Sequence, residues 1–505
     1  MKSTKYLPSL LLFLSVCIYI IGFLFSYDYL IGDLYSAQNR VSAIRSIVEY
    51  SVMYTSFILF CSFIYKSKYL KFLSYIMLVG ISINSFISYC CYLVYGTGFN
   101  IGMAVSVLDS NIAEATNMIY DYLLPLFISL SLLLINSIIV IKFSKIKLPK
   151  KFSFIYFLWF ILPVIFLLKH HYIGYKGGGP MVKNVMYHFK DFKSAYQLNQ
   201  NMSKIKEHKV VYTYQKVNQG IETVVLVIGE SVRKQNMSLY GYDRKTSPHQ
   251  DALKNNMILF TEAHSPAAIT NLSIPLMLSP LTPEEYNTKI EKVSDNVVNL
   301  ANSQGYTTTW LTTQNNIKGV TEIASYSNNK KWVNGYDTEL LPYINETLNQ
   351  KGKKFVVIHI NGSHPNPCLR YPDNFNHFDS GNTFDCYDNS ILYTDQFLGE
   401  VFKKLTNKNA ALIYLSDHGL KSVDNKLIHT DSKESTQVPF YTWFSNTELK
   451  DKYAFDKDRN QSISISYLYP MVMKLFGLDE IKLDKIENDN YIKLDHKIIP
   501  YKELE

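Results

Sequence analysis

Five long apolar stretches in the first third of the chain constrain its fold more than any other feature. No charge interrupts Tyr6 to Tyr27, Phe72 to Tyr95, Tyr122 to Ile141 or Phe152 to Leu168, and Ile47 to Tyr65 carries only Glu49, near its start. Runs of this length span a hydrocarbon core as helices, the one form in which a single segment satisfies its own backbone polar groups there. Lys2 and Lys5 could introduce a signal peptide instead, but no small-residue cleavage site follows and further spans do. The lysines set the orientation. Those at 2 and 5, at 66, 68 and 71, and at 142, 145, 147, 150 and 151 fall in alternate loops, which the positive-inside rule assigns to the cytoplasm. The N-terminus is then cytoplasmic and everything after Leu168 is outside, which in a bacterium is the periplasm.

The formal charge of +8 therefore resolves largely into loop lysines, and it implies no nucleic-acid partner. Cysteines divide the same way. Cys17, Cys61, Cys90 and Cys91 lie in apolar runs, as small hydrophobes do. Cys368 and Cys386 stand alone in the polar half, where they suit a disulfide in an oxidising compartment or remain two free thiols. The outward loop Gly96 to Asn117 carries Asp109 and Glu114, which read either as a solvated loop or as a contact to a cationic lipid headgroup. Residues 169–220, with Gly177 to Gly179 and scattered Lys and Gln, read as an amphipathic bridge on or near the membrane surface. The expected organisation is a transmembrane domain over 1–168, this bridge, and a soluble domain over 221–505.

In the soluble part, TVVLVI from Thr223, TTTWLTT from Thr307, FVVIHI from Phe355 and ALIYLSD from Ala411 are strands by composition, separated by polar or helical segments. That alternation predicts an α/β domain with a mostly parallel central sheet covered by helices on both faces. Ligands of such sheets gather beyond the strand ends. The first strand ends in Gly229, Glu230 and Ser231, and the last in Ser416, Asp417, His418 and Gly419. Glu230, Asp417 and His418 together supply three N/O ligands for a zinc or manganese ion.

Thr270 offers a fourth ligand. It opens a helix-compatible segment whose N-terminal amides favour an anion, and metal contact would make its hydroxyl a usable nucleophile; the plainer role is an N-cap. His359 and His364 in HINGSHPNP, with His429, suggest a second metal or a phosphate clamp, and Lys318 a phosphate partner, although surface histidines and lysines are common.

GESVRKQNMSLYGYDRKTSP, TNLSIPLM, YDNSILYTDQFL and SDHG, in that order after five spans, closely resemble the membrane phosphoethanolamine transferases of Gram-negative bacteria. These belong to the alkaline-phosphatase and sulfatase superfamily and include lipid A modifying and colistin-resistance enzymes. The resemblance implies an inner-membrane protein with a periplasmic catalytic domain, a phosphatidylethanolamine donor, a lipopolysaccharide acceptor and a monomeric state. It implies zinc held by Glu230, Thr270, Asp417 and His418, one ion bound tightly and room for a second. Thr270 would be the nucleophile that becomes phosphoethanolamine-modified. Lys318, His364 and His429 match positions that bind phosphate or a second zinc, and Glu114 matches an outward-loop acid suspected of contacting substrate. The chain departs from lipid A enzymes in placing Ser265, Ala267 and Leu276 where cysteines often bracket the nucleophile, and Leu420 where Glu often follows Asp-His-Gly. The competing expectations are a glycerol-phosphate transferase like the lipoteichoic acid synthases and a catalytically inactive membrane-anchored binding module.

Overall fold

The computed structural model describes residues 7–26, 40–95, 119–146, 214–314, 319–364, 366–382, 384–423, 426–454, 461–479, 490–494 and 498–504, with scattered positions between 99 and 116 and between 192 and 212. The chain divides into two compact units, 1–195 and 196–505.

The first unit holds four helices among its described residues: α1 (Leu7–Ser26), α2 (Arg40–Ile64), α3 (Lys71–Tyr95) and α4 (Ile119–Ser144). Three helical stretches, Ala43–Ile64, Lys71–Cys91 and Ile119–Ser144, are long and apolar enough to cross a membrane, and Leu7–Gly22 is a shorter apolar helix. The predicted fifth span, 152–168, lies outside the described residues, as do Asp109 and Glu114. The helices hold more buried polarity than their hydropathy suggests. Asn136 of α4 and Tyr54 of α2 exchange hydrogen bonds at 2.8 and 3.0 Å, Asn84 of α3 donates to the Tyr19 hydroxyl at 3.3 Å, and the Tyr19 and Tyr54 rings stack at 4.3 Å. Such pairs let polar side chains sit between apolar helices, where a lone amide would be costly.

In the second unit a seven-stranded sheet organises everything else. Its strands are β1 (Thr223–Gly229), β2 (Met257–Leu259), β3 (Thr307–Thr312), β4 (Asn329–Trp332), β5 (Lys354–His359), β6 (Ala410–Ser416) and β7 (Phe440–Phe444), in the spatial order β2-β7-β6-β1-β5-β3-β4. All pairings are parallel except those of β7, which runs against both β6 and β2. β1 lies at the centre and is buried along its whole length. Val224, Leu226 and Ile228 face one apolar layer, with α5 (Thr270–Leu278), α6 (Val297–Ser303) and a later helix, Leu468–Leu475. Val225 and Val227 face the other, with α7 (Leu341–Asn349) and α8 (Asp385–Leu405). Burial on both faces is why β1 reads as an unbroken apolar run, not as an alternating one.

The LYGY segment proves to be a clamp. The Tyr240 hydroxyl donates to the Phe440 carbonyl at 3.1 Å and accepts from the Phe440 N–H at 2.8 Å, while Gly241 turns the chain at φ 99°. Tyr242, Asn236 and Arg244 all donate to the buried Asp388 of α8 at 2.8 to 2.9 Å. The segment thus ties the chain beyond β1 to β7 and α8.

Cys368 and Cys386 are bonded, tying the 3-10 turn Pro367–Leu369 to the first turn of α8 across 18 residues. A loop of that size lowers unfolded-chain entropy by the equivalent of roughly 3 kcal/mol. The double variant Cys368→Ser/Cys386→Ser should therefore lose about that much stability in denaturant titrations. An unchanged midpoint would show that the bridge constrains nothing.

Candidate active site

The parallel strands deliver their C-terminal ends to one edge of the sheet, and the site forms there. β1 runs directly into Glu230 and β6 directly into Asp417 and His418. These two strands are immediate neighbours, in a register that pairs Gly229 with Ser416. Gly229 is needed for this approach, because a Cβ there would sit 2.9 Å from the Tyr414 hydroxyl.

The chain leaves β1 through Ser231, held at φ 60°, a conformation few non-glycine residues adopt. Four hydrogen bonds fix it. Ser231 N–H donates to Asp417 Oδ1 at 3.2 Å, its hydroxyl to Glu230 Oε1 at 2.7 Å, Tyr387 to its carbonyl at 2.6 Å, and Val232 N–H to Ser416 Oγ at 2.9 Å. Strain sustained in this way is common where a site must be held in one geometry.

Glu230, Asp417 and His418 are all buried, and one ligand atom from each lies within 4.8 Å of the others. His418 Nε2 lies 3.3 Å from Glu230 Oε1 and 3.5 Å from Asp417 Oδ2. In Asp417 and His418 the hydrogen bonding leaves the inward atoms available. Asp417 Oδ1 accepts from the Ser231 and His418 N–H groups, but buried Oδ2 accepts no hydrogen bond and faces His418 Nε2. His418 Nδ1 is 2.9 Å from the Gly419 carbonyl, so a neutral ring protonated there turns a bare Nε2 inward. An unsatisfied buried carboxylate oxygen beside an oriented imidazole and a second carboxylate is a donor set that fits zinc.

The electrostatics without an ion show how tightly these groups are coupled. Burial and the Glu230 carboxylate push Asp417 up to about 7. Burial opposes a charge on His418, yet the Asp417 and Glu230 carboxylates prevail and raise it to about 9. Burial likewise opposes charge on Glu230, and the His418 cation overrides it, holding the carboxyl well below its usual range. A divalent cation would replace that one proton as the neutraliser of two buried carboxylates.

Thr270 is the first residue of α5, and Ile269 occupies the cap position. Thr270 is therefore not the cap of its helix. Instead its hydroxyl donates to Glu230 Oε2 at 3.0 Å and lies 3.3 Å from His418 Nε2. The neighbourhood that lacks cysteines is closed by serines: the Ser265 and Ser273 hydroxyls are 2.8 Å apart, and Ser273 donates to the Asp417 carbonyl at 2.7 Å.

The remaining predicted residues divide. His429 brings its ring to 4.9 Å from that of His418, its Nδ1 is buried without a partner, and burial, then the His418 charge, pushes it down to about 3. His364 directly follows Ser363, whose N–H donates to the Glu230 carbonyl at 2.9 Å, so it stands near the cluster. His359 is held inside the sheet, edge-on to Trp310, where burial lowers it to about 4. Lys318 lies outside the described residues. Two groups on the carboxylate were not singled out in the sequence. Ser231 is one; the other is Gln314, whose amide donates to Glu230 Oε2 at 3.1 Å and to the Ile360 carbonyl at 3.0 Å. Gln314 comes just after the TTTWLTT strand, so its place at a strand end was the available signal.

Comparison with known proteins agrees with this architecture. The sulfatase family profile matches residues 222–478. The Escherichia coli (strain K12) protein named "Putative transferase YhbX" is 36% identical over 387 residues, covering 72% of this chain and 70% of its own. Phosphoethanolamine transferase EptC of the same strain is 26% identical over 474 residues, 82% of each chain. Among solved structures, the lipooligosaccharide phosphoethanolamine transferase A of Neisseria meningitidis, an integral membrane protein, aligns with a TM-score of 0.65 at 20% identity, covering 94% of this chain and 96% of that one. The periplasmic domain of Escherichia coli EptC, solved in complex with zinc, aligns with a TM-score of 0.53 at 24% identity, covering 59% of this chain and 97% of that one.

Proposed function

The chain belongs to the sulfatase family, and from that premise we propose that it is an inner-membrane phosphoethanolamine transferase. Its donor is phosphatidylethanolamine, its acceptor a lipopolysaccharide glycolipid, and its nucleophile Thr270. The phosphoethanolamine transferases among its relatives support the general activity. The observation that carries the reading is the aim of Thr270, whose hydroxyl turns from its own helix to Glu230 and His418.

Glu230, Asp417 and His418 would hold zinc, the metal bound by the EptC domain. Bound there, zinc supplies Lewis-acid stabilisation of phosphoryl oxygens and lowers the pKa of a neighbouring hydroxyl. Thr270 Oγ1 gives up its proton towards Glu230 Oε2 and attacks phosphorus, forming a phosphoethanolamine-threonine ester as the P–O bond to diacylglycerol breaks and the departing oxygen takes up a proton. An acceptor hydroxyl then attacks the same phosphorus and loses its proton as the bond to Thr270 breaks and the threonine oxygen is reprotonated. Lys318, His364 and His429 would bind the nonbridging oxygens, whose charge such transfers must chiefly stabilise. The N-terminus of α5 adds amide dipoles of the same sign. The apolar helices anchor the chain in the bilayer that holds the donor, which raises the donor's effective concentration.

Purified full-length chain in detergent, offered phosphatidylethanolamine and phosphatidylglycerol in parallel, should release diacylglycerol from the first alone. Turnover of phosphatidylglycerol alone would identify a glycerol-phosphate enzyme, and zinc binding with no turnover of either lipid a binding module. Mass spectrometry of lipopolysaccharide from cells with and without the protein, separating lipid A from core sugars, then assigns the acceptor.

A further inference from the structure

The backbone of Glu230 rests against a loop that a carboxylate outside the cluster holds at two amides. Asp337, in the 3-10 turn Asp337–Leu340 ahead of α7, is 2% exposed, and its carboxylate collects the ends of two other strands. Oδ1 accepts from the Thr313 hydroxyl at 2.5 Å and the Asn361 N–H at 2.9 Å, and Oδ2 accepts from the Gly362 N–H at 3.0 Å. Thr313 directly follows β3, and Asn361 and Gly362 follow β5. The loop after β5 is thereby drawn against the chain leaving β1. Gly362 adopts φ +52°, and a Cβ there would meet both the N and the O of Glu230 at 2.9 Å. The next residue, Ser363, donates its N–H to the Glu230 carbonyl at 2.9 Å. The backbone of Glu230 is therefore seated against a loop whose conformation is set by Asp337, and the same loop carries His364.

We propose that Asp337 is a positioning residue for the metal site: through the Asn361–Gly362–Ser363 backbone it fixes Glu230 in the geometry that binds zinc, and it places His364 beside it. This rests on the zinc-enzyme reading above. A buried carboxylate elsewhere in the core would serve stability alone. Here two of its three donors are consecutive backbone amides of a loop that abuts a ligand's own backbone. Asn in this place presents an amide NH2 to at least one of those donors, so the loop loses a bond and gains a repulsion.

The test uses full-length protein in detergent, stripped with chelator, and reads zinc affinity by competition with a chromogenic chelator. Asp337→Asn and Gly362→Ala should each weaken zinc binding by about 10- to 100-fold, the usual effect of losing a group that orients a ligand. Thr313→Val, which removes one donor of the three, should weaken it less, and it carries the test if Asp337→Asn does not fold. Leu398→Ala, a core truncation in α8, should lower the melting temperature while leaving zinc affinity as in the wild type.

Wild-type zinc affinity in the Asp337, Gly362 and Thr313 variants would overturn the proposal. So would an equal loss in Leu398→Ala, because the effect would then be general destabilisation. Turnover of phosphatidylethanolamine by the wild type is measured alongside. If it persists while the variants bind zinc normally, only the positioning role falls. If the wild type neither binds zinc nor turns over lipid, the functional reading falls and the positioning role with it.

Discussion

Replacing Thr270 with Ala should cut phosphoethanolamine transfer by at least about a thousand-fold while leaving the fold and the metal site intact, the scale expected when a nucleophile is removed and the rest of its site remains. The fold should tolerate the change because Thr270 stands inside α5, one residue past the cap position, and its hydroxyl is directed into the cluster, to Glu230 and His418. Ala is also the better helix former at the start of α5. The variant should melt within a few degrees of the wild type and bind zinc with affinity lowered only by the loss of one weak ligand. Thr270→Ser keeps the hydroxyl and should keep measurable transfer. Wild-type rates of diacylglycerol release from Thr270→Ala would remove the residue from the mechanism.

The second large effect is expected at Asp417. Its Oδ1 is engaged by the Ser231 and His418 N–H groups, whereas Oδ2 is buried, accepts no hydrogen bond and faces His418 Nε2. Asp417→Asn puts an amide nitrogen at the inward position if Oδ1 keeps its bonds, and a neutral amide nitrogen does not ligate zinc. Zinc affinity should fall at least about 100-fold, and transfer with it. The metal-free proteins should show the opposite order. Without an ion, Glu230 and Asp417 are two buried carboxylates beside one imidazole, and neutralising one of them relieves like-charge repulsion. At neutral pH the metal-free variant should therefore melt no lower than the metal-free wild type, while zinc stabilises the wild type far more. A variant that melts lower in both states would mean that Asp417 serves the fold and not a metal.

The site was legible from the residues only as far as strand ends could be recognised. TVVLVI and ALIYLSD are buried on both faces, so their apolar runs stop abruptly where the sheet stops, and the next polar residues, Glu230, Asp417 and His418, stand out by position. Composition does not encode strand direction, so nothing in FYTWF marked β7 as the one strand running against its neighbours. His359 shows the limit of reading by proximity: it belongs to the strand-end set, yet its ring is enclosed beside Trp310. Asp337 was invisible because its role depends on bonds to backbone amides from another loop, which no local pattern records. The LYGY segment was legible as important but not as a clamp, since its partners Phe440 and Asp388 are some 150 to 200 positions away.

A nucleophilic Thr270 requires a covalent bond from its hydroxyl to phosphorus. Full-length protein, incubated with phosphatidylethanolamine without acceptor, should gain the mass of one phosphoethanolamine group in intact-protein mass spectrometry. Fragmentation of the peptide containing Thr270 to Met277 should place the group on Thr270. A modification mapped to any other residue, or rapid diacylglycerol release with no modified protein even after quenching within one turnover, would contradict it.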